Sequence, residues 1–260
     1  MRILAIGDIV GRPGRRAVAA YLPELRRRLA PDFILANAEN AAGGIGITKD
    51  TGLELLELGI DLLTMGNHAW GKKEAYAFLE EEARVIRPAN YPEGAPGRGW
   101  AVHRSRSGVP VAVMNLGGRV FFTTDLDCPF RTAERVLEAI GDGARVVLVD
   151  FHAEATSEKI ALAHFLDGRV SAVFGTHTHV QTADARVLPG GTAFMTDLGM
   201  TGPRDSVIGI KKKIVIERFL TQLPSKFEVA SGPTELCGAL FDIDEATGLA
   251  RSVEPVRVAD

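Results

Sequence analysis

The chain has 260 residues, of which 46% are apolar and 24% charged, and its net charge is −3. These proportions exclude a fibrous repeat or a disordered chain, leave room for one large α/β domain or two small ones, and give no global attraction to nucleic acid or to an anionic membrane. Two cysteines, Cys128 and Cys237, stand far apart and outside any CxxC pair, so neither a disulfide framework nor a thiolate zinc cage is expected.

The apolar start, residues 1–6, is broken by Asp8 and lacks the length and cleavage pattern of a signal peptide, and no later run approaches a membrane span. A cytoplasmic protein with an unprocessed N-terminus is expected. Residues 2–6 read as a strand. After Pro13 a helix runs to about Leu29, with Val18, Leu22, Leu25 and Leu29 at helical spacing, and Pro31 ends it. Residues 33–36 form a strand, Thr48 caps a helix reaching about Leu58, Gly59 stops it, residues 62–65 form a strand and residues 74–82 a helix. Residues 87–106 are rich in Pro and Gly and read as a long irregular surface loop, in the manner of an active-site lid. Strands at 109–115 and 146–151 flank a helix at 133–140; a helix at 157–166, capped by Ser157, precedes a strand at 172–175. Beyond residue 185 the segments 186–188, 193–196, 214–219, 226–229, 236–243 and 252–258 all look strand-like, with turns at Pro189-Gly190-Gly191 and Thr247-Gly248, which predicts a mostly antiparallel C-terminal third. The whole, residues 1–260, reads as one domain of alternating βαβ units, with no internal repeat.

The polar residues that punctuate this pattern sit just after strands: Asp8, Glu39 and Asn40, Asn67 and His68, His152, and His177 and His179. Side chains at the carboxyl ends of neighbouring parallel strands converge on one crevice. Imidazole, carboxylate and amide carbonyl together suit zinc, manganese or iron, whereas calcium would take oxygen almost alone. Eight candidates exceed what one ion needs, so two metals fit better, with Glu39 the natural shared carboxylate. Two carboxylates against two divalent cations leave a positive cup suited to an anionic phosphate ester. Other features read as ordinary. His103 belongs to a surface strand and His164 to the core or boundary of a helix. Residues 66–73 nearly match a phosphate-cradling loop, but Lys73 stands where Ser or Thr is required. The basic runs 26–28 and 211–213 offer an RNA contact, although such short runs are ordinarily solvated faces. Asp197 and Thr201 follow a strand near this set and are given no role.

The segments Gly7-Asp8, Asn37-Ala38-Glu39-Asn40, Gly66-Asn67-His68, His152 and Gly175-Thr176-His177-Thr178-His179 together resemble the calcineurin-like metallophosphoesterase superfamily. More narrowly, GDIVGRPGR, NAENAAGG, GNHAW, RPANYP, HAEATSEK, GTHTHVQTAD and TDLGMTG, spanning residues 7 to about 202, resemble its YmdB-type subgroup. The resemblance implies a four-layer αββα sandwich with a di-metal centre and hydrolysis of 2′,3′-cyclic nucleotides or related phosphodiesters. It also implies one metal held by Asp8, Glu39, Asn40 and His179, a second held by Glu39, Asn67, His152 and His177, and His68 as general acid. Two departures stand out: the usual Asp-x-His reads Asp8-Ile9-Val10, and the bridging Asp is Glu39. An imidazole is thereby lost from the first metal position, which favours iron or manganese over zinc. A phosphomonoesterase acting on a nucleotide or phosphoprotein, and a metal-containing RNA- or protein-binding regulator, are the competing readings. Self-association is compatible with any of them.

Overall fold

Alternation along the buried strands decides the layers. The computed structural model describes residues 1–259. In chain order, β1 (Arg2–Ile6), β2 (Asp8–Ile9) and α1 (Gly11–Leu29) are followed by β3 (Phe33–Asn37), α2 (Lys49–Glu57), β4 (Leu62–Thr64), α3 (Ala75–Glu81) and β5 (Val85–Ile86). Then come β6 (Trp100–Arg104), β7 (Pro110–Gly117), α4 (Pro129–Ile140), β8 (Val146–His152), α5 (Thr156–Leu166) and β9 (Ala172–Thr176). The chain closes with β10 (Arg186–Val187), β11 (Ala193–Met195), β12 (Met200–Pro203), α6 (Lys212–Thr221), β13 (Thr234–Ile243) and β14 (Ala250–Ala259).

Eight strands form a first sheet in the order β2-β12-β13-β1-β3-β4-β5, with β14 paired to β13; six form a second, β10-β11-β9-β8-β7-β6. Within the first, β1, β3, β4 and β5 are mutually parallel, as are β7, β8, β9 and β11 in the second. Leu4, Ile6, Ile34 and Ala36 face α1, α2 and α3, whereas Ile3, Ala5, Phe33 and Leu35 on the same strands face the second sheet. There they meet Val111, Val113, Val146, Leu148 and Phe174, while Met114, Val147, Val149 and Phe151 turn outward to α4 and α5. Each such fully buried side chain contributes about 1.5–3 kcal/mol of transfer free energy, which is why these strands read as continuous apolar runs rather than half-polar ones. The result is the four-layer αββα sandwich.

Several expectations need correction. Residues 214–219 lie in α6, not in a strand: Ile214, Val215 and Ile216 have β propensity, but Lys212, Lys213, Glu217 and Arg218 are good helix formers, and only Val215 of this helix is buried. Of residues 226–229, only Val229 makes an isolated bridge, to Ile210. The C-terminal third divides between both sheets, with β11 parallel to β9 and β12 parallel to β2. Residues 87–106 are neither wholly irregular nor a free lid. β6 occupies 100–104, and the Arg87 guanidinium donates to the carbonyls of Pro88, Ala95, Pro96 and Gly97, fixing the preceding loop. Ala155, without a side-chain hydrogen bond, caps α5 in place of Ser157. His164 is exposed, and His103 sits on β6 as expected. Thr48 caps α2 in a reciprocal pair with Thr51. The basic runs are partly paired: Arg27 with Glu24, Lys211 with Glu228 and Lys212 with Asp205. Among the described residues no helix is long and apolar enough to cross a membrane.

Candidate metal centre

The inward-facing parity of the strands turns polar at one end of the sandwich. Phe33 and Leu35 are followed in register by Asn37, Leu62 by Thr64, Val146 and Leu148 by Asp150 and His152, and Ala172 and Phe174 by Thr176. Side chains two apart share a face of a strand, so these groups project into the seam between the sheets at the strands' carboxyl ends. Asp8 in β2 and the turns after β3, β4 and β9 complete the ring with Glu39, Asn40, Asn67, His68, His177 and His179.

All eight expected site residues meet there. His152 Nε2 lies 2.9 Å from Asn67 Oδ1, 3.2 Å from Glu39 Oε1 and 3.0 Å from His177 Nδ1. Glu39, His152 and His177 each offer a ligand atom within 4.8 Å of the others. On the other side His179 Nε2 lies 3.7 Å from Asp8 Oδ1 and 3.2 Å from Asn40 Nδ2. Asn40 Oδ1 is 2.8 Å from His68 Nδ1, whose backbone N–H donates to Glu39 Oε2 at 2.9 Å. Glu39 thus touches both groups. Asp8 Oδ1 is buried and accepts no hydrogen bond, and Asp8 Oδ2 accepts from the His177 N–H at 3.1 Å. An orphaned buried carboxylate oxygen and several acceptors converging on one imidazole nitrogen are what a cation would satisfy, so the residues fit a metal. Gly66 keeps the space open: a Cβ there would lie 2.3 Å from Glu39 Oε2 and 2.4 Å from His152 Nε2.

The protonation pattern agrees with the geometry. Burial opposes charge on His152, but Glu39, Asp8 and Asp150 together carry its pKa up to about 9, so without metal a proton takes the cation's place. Burial alone would raise Glu39, yet His152 and His68 hold it well below the usual carboxylate range. Burial, then the neighbouring His152, drives His177 down to about 3, leaving it a neutral donor. Burial raises Asp8.

Supporting groups fix which ring nitrogen is free. His152 Nδ1 is 2.9 Å from Thr176 Oγ1, which donates to Asp150 Oδ1 at 2.7 Å; Thr64 Oγ1 and, at 3.4 Å, Asn37 Nδ2 donate to Asp150 Oδ2. His177 Nε2 faces Glu154 Oε2 at 3.1 Å, and His179 Nδ1 faces the Ile208 carbonyl at 2.9 Å. Such contacts orient metal-binding imidazoles. His177 and His179 hold φ of 102° and 65°, backbone states that bulky residues adopt only where the surroundings impose them. Asp197, buried and ion-paired with Lys159 at 2.8 Å, imposes this one by accepting the Thr178 N–H at 3.1 Å. Phe122 packs against His177 with ring centroids 4.8 Å apart. Thr64 and Asp150 lie outside every motif, and Asn37, Thr176, Glu154 and Asp197 lie inside motifs that assigned them no role. The signal for the first four was a polar residue on the inward parity of an apolar strand.

A family model of YmdB-like proteins matches residues 4–256. The chain belongs to the YmdB-like family. It is 48% identical to the 2′,3′-cyclic-nucleotide 2′-phosphodiesterase of Bacillus subtilis over 260 residues, all of this chain and 98% of that one. Among solved structures, a protein of Thermus thermophilus superposes with a TM-score of 0.94 at 45% identity, covering 100% of both chains. A phosphatase from Mycoplasma pneumoniae superposes at 0.93 with 32% identity, covering 100% of this chain and 93% of that one.

Proposed function

We propose that this phosphoester-hydrolysing enzyme is a metal-dependent phosphodiesterase that cleaves 2′,3′-cyclic nucleotides or closely related diesters. The observation that carries the reading is the convergence of Glu39, Asn67 and His177 on His152 Nε2, beside the orphaned Asp8 Oδ1, next to a pocket that Glu39, His68 and His177 line. The 48%-identical relative, named for that activity, supports the substrate class.

Asp8, Glu39, Asn40 and His179 would hold one divalent metal, and Glu39, Asn67, His152 and His177 the other, with Glu39 shared. Bound there, the metals would supply Lewis acidity to the phosphoryl oxygens and make water more acidic. The oxygen-rich first set favours iron or manganese over zinc. The chain's own contribution is to position and to move one proton. Asn40 Oδ1 accepts from His68 Nδ1 at 2.8 Å, which leaves Nε2 as the edge that protonates the departing alkoxide. The partial pairing of the basic runs favours a small substrate over an extended RNA.

Hydrolysis of 2′,3′-cyclic AMP by manganese-reconstituted protein tests this. The wild type is expected to turn over, His68→Ala to lose roughly 10²–10⁴-fold in kcat while keeping its metal, and Glu39→Gln to lose metal and activity together. A wild type that binds two metals yet hydrolyses a chromogenic monoester faster than the bis-ester would overturn the diester assignment in favour of a phosphomonoesterase.

A further inference from the structure

We infer that the pocket beside the candidate metal centre contains a nucleobase subsite, with the Phe227 ring as its stacking platform; this deepens the phosphodiesterase reading and rests on it. The cavity, about 390 Å³, has two kinds of wall. His68, His177 and His179, with Glu39, Asn40 and Glu154, supply the polar part, suited to a phosphate held at the candidate metal centre. Val10, Ile45, Ile208, Ile210 and Phe227 supply an apolar part. A phosphate ester bearing only small polar groups would leave that apolar wall wet, whereas a flat, weakly hydrated ring would cover it.

Phe227 is built to present a face. It is 43% exposed, and the Arg218 guanidinium stands 4.9 Å from the ring centroid. Arg218 and Phe227 together line a neighbouring cavity, but Arg218 does not line the one at the metal centre. The ring therefore borders both cavities, with the Arg218 cation over it on the side of the neighbouring one. The wall is anchored to the centre itself. Lys211 N–H donates to the Glu228 carbonyl and Ala230 N–H to the Gly209 carbonyl, both at 2.9 Å, which ties the 227–230 segment to the 208–211 turn, and the Ile208 carbonyl in that turn faces His179 Nδ1. A base on Phe227 and a phosphate at the histidines would thus be held by one loop. Because stacking on an aromatic face is tolerant of base identity, the subsite takes any base, and purines better than pyrimidines because they stack over more area.

Equilibrium binding to manganese-loaded protein tests this without turnover, using adenosine 3′-phosphate, cytidine 3′-phosphate and inorganic phosphate. The wild type is expected to prefer adenosine 3′-phosphate to cytidine 3′-phosphate by less than about 10-fold and both to phosphate. Phe227→Ala should weaken the nucleotides roughly 10-fold or more and leave phosphate unchanged, while Phe227→Trp retains the preference. Phe227→Leu, which keeps apolar bulk without a ring face, should fall between. Equal nucleotide-to-phosphate affinity ratios in wild type and Phe227→Leu overturn the platform even if the alanine variant does not fold, and discrimination between bases beyond about 10-fold overturns a base-tolerant subsite. Failure of the phosphodiesterase reading is a separate result: no cyclic-nucleotide hydrolysis by a protein whose binding preferences are intact.

Discussion

His152 lies with its two ring nitrogens in different company: Nδ1 against the Thr176 hydroxyl, and Nε2 against Glu39, Asn67 and His177. In metal-free protein its pKa of about 9 stands above the unfolded value of 6.5. A raised histidine contributes stability that is complete below pH 6.5 and is lost as pH climbs through about 9, a span worth on the order of 3 kcal/mol. Asp150, raised by burial to about 6, also loses stability as pH rises through that value, so it adds to the fall at the low edge of the window rather than masking it. Urea unfolding of chelated protein at about pH 6, 7.5 and 9 should therefore show a falling midpoint. Metal-loaded protein should hold its midpoint, because a ligating imidazole has already given up the proton. A chelated protein equally stable at all three values would show that Glu39 and His152 do not share a proton as described. The ligand set was legible in sequence because each member directly follows a strand. Asp150 and Thr176 were not, because their role depends on which way an inward position faces across a seam between two sheets, and one strand's sequence does not reveal its opposite.

At the scale of elements, the 87–99 segment shows how a loop that looks irregular in sequence can be rigid. Its Pro and Gly residues correctly signalled an absence of regular hydrogen bonding, but the missing partners are supplied by one buried guanidinium bonded to four carbonyls and by Asn90, whose amide donates to Gly117 and Asp127. Tyr91 from this loop also packs edge-on against Trp70, two residues from His68, with centroids 5.5 Å apart. Arg87→Ala should cost about 3 kcal/mol, since it removes charge-assisted bonds and strands carbonyls that the fold has already shielded. Limited proteolysis should then cut between residues 88 and 98, where the wild type resists. Arg87→Lys should restore little, because a point charge cannot reach four acceptors spread around a planar fork. The segment 214–219 departed in the opposite direction. Its β-branched residues predicted a strand, but strand propensity expresses packing against a neighbouring strand, and α6 buries only Val215.

Across the whole molecule the centre joins two halves that meet elsewhere mainly through apolar contact, with Thr64 and Asn37 also donating to Asp150 across the seam. Asp8, Glu39, Asn40 and Asn67 come from the first sheet and its loops, and His152, His177 and His179 from the second. Metals at this seam would bind across the interface between the two sheets. They would favour the native state alone, because in the unfolded chain the ligands are scattered from Asp8 to His179. At free metal about 1,000-fold above Kd each bound ion contributes about 4 kcal/mol, and at roughly 2–4 °C per kcal/mol for a chain of this size the Tm should rise by about 10 °C per ion over that of the chelated protein. Gly66→Ala separates this effect from general packing: its Cβ would crowd Glu39 and His152 while leaving the apolar layers untouched. That variant should melt near the chelated wild type whether or not metal is added. If added metal raised its Tm as far as it raises that of the wild type, the stabilising cations would have to be bound somewhere other than the seam.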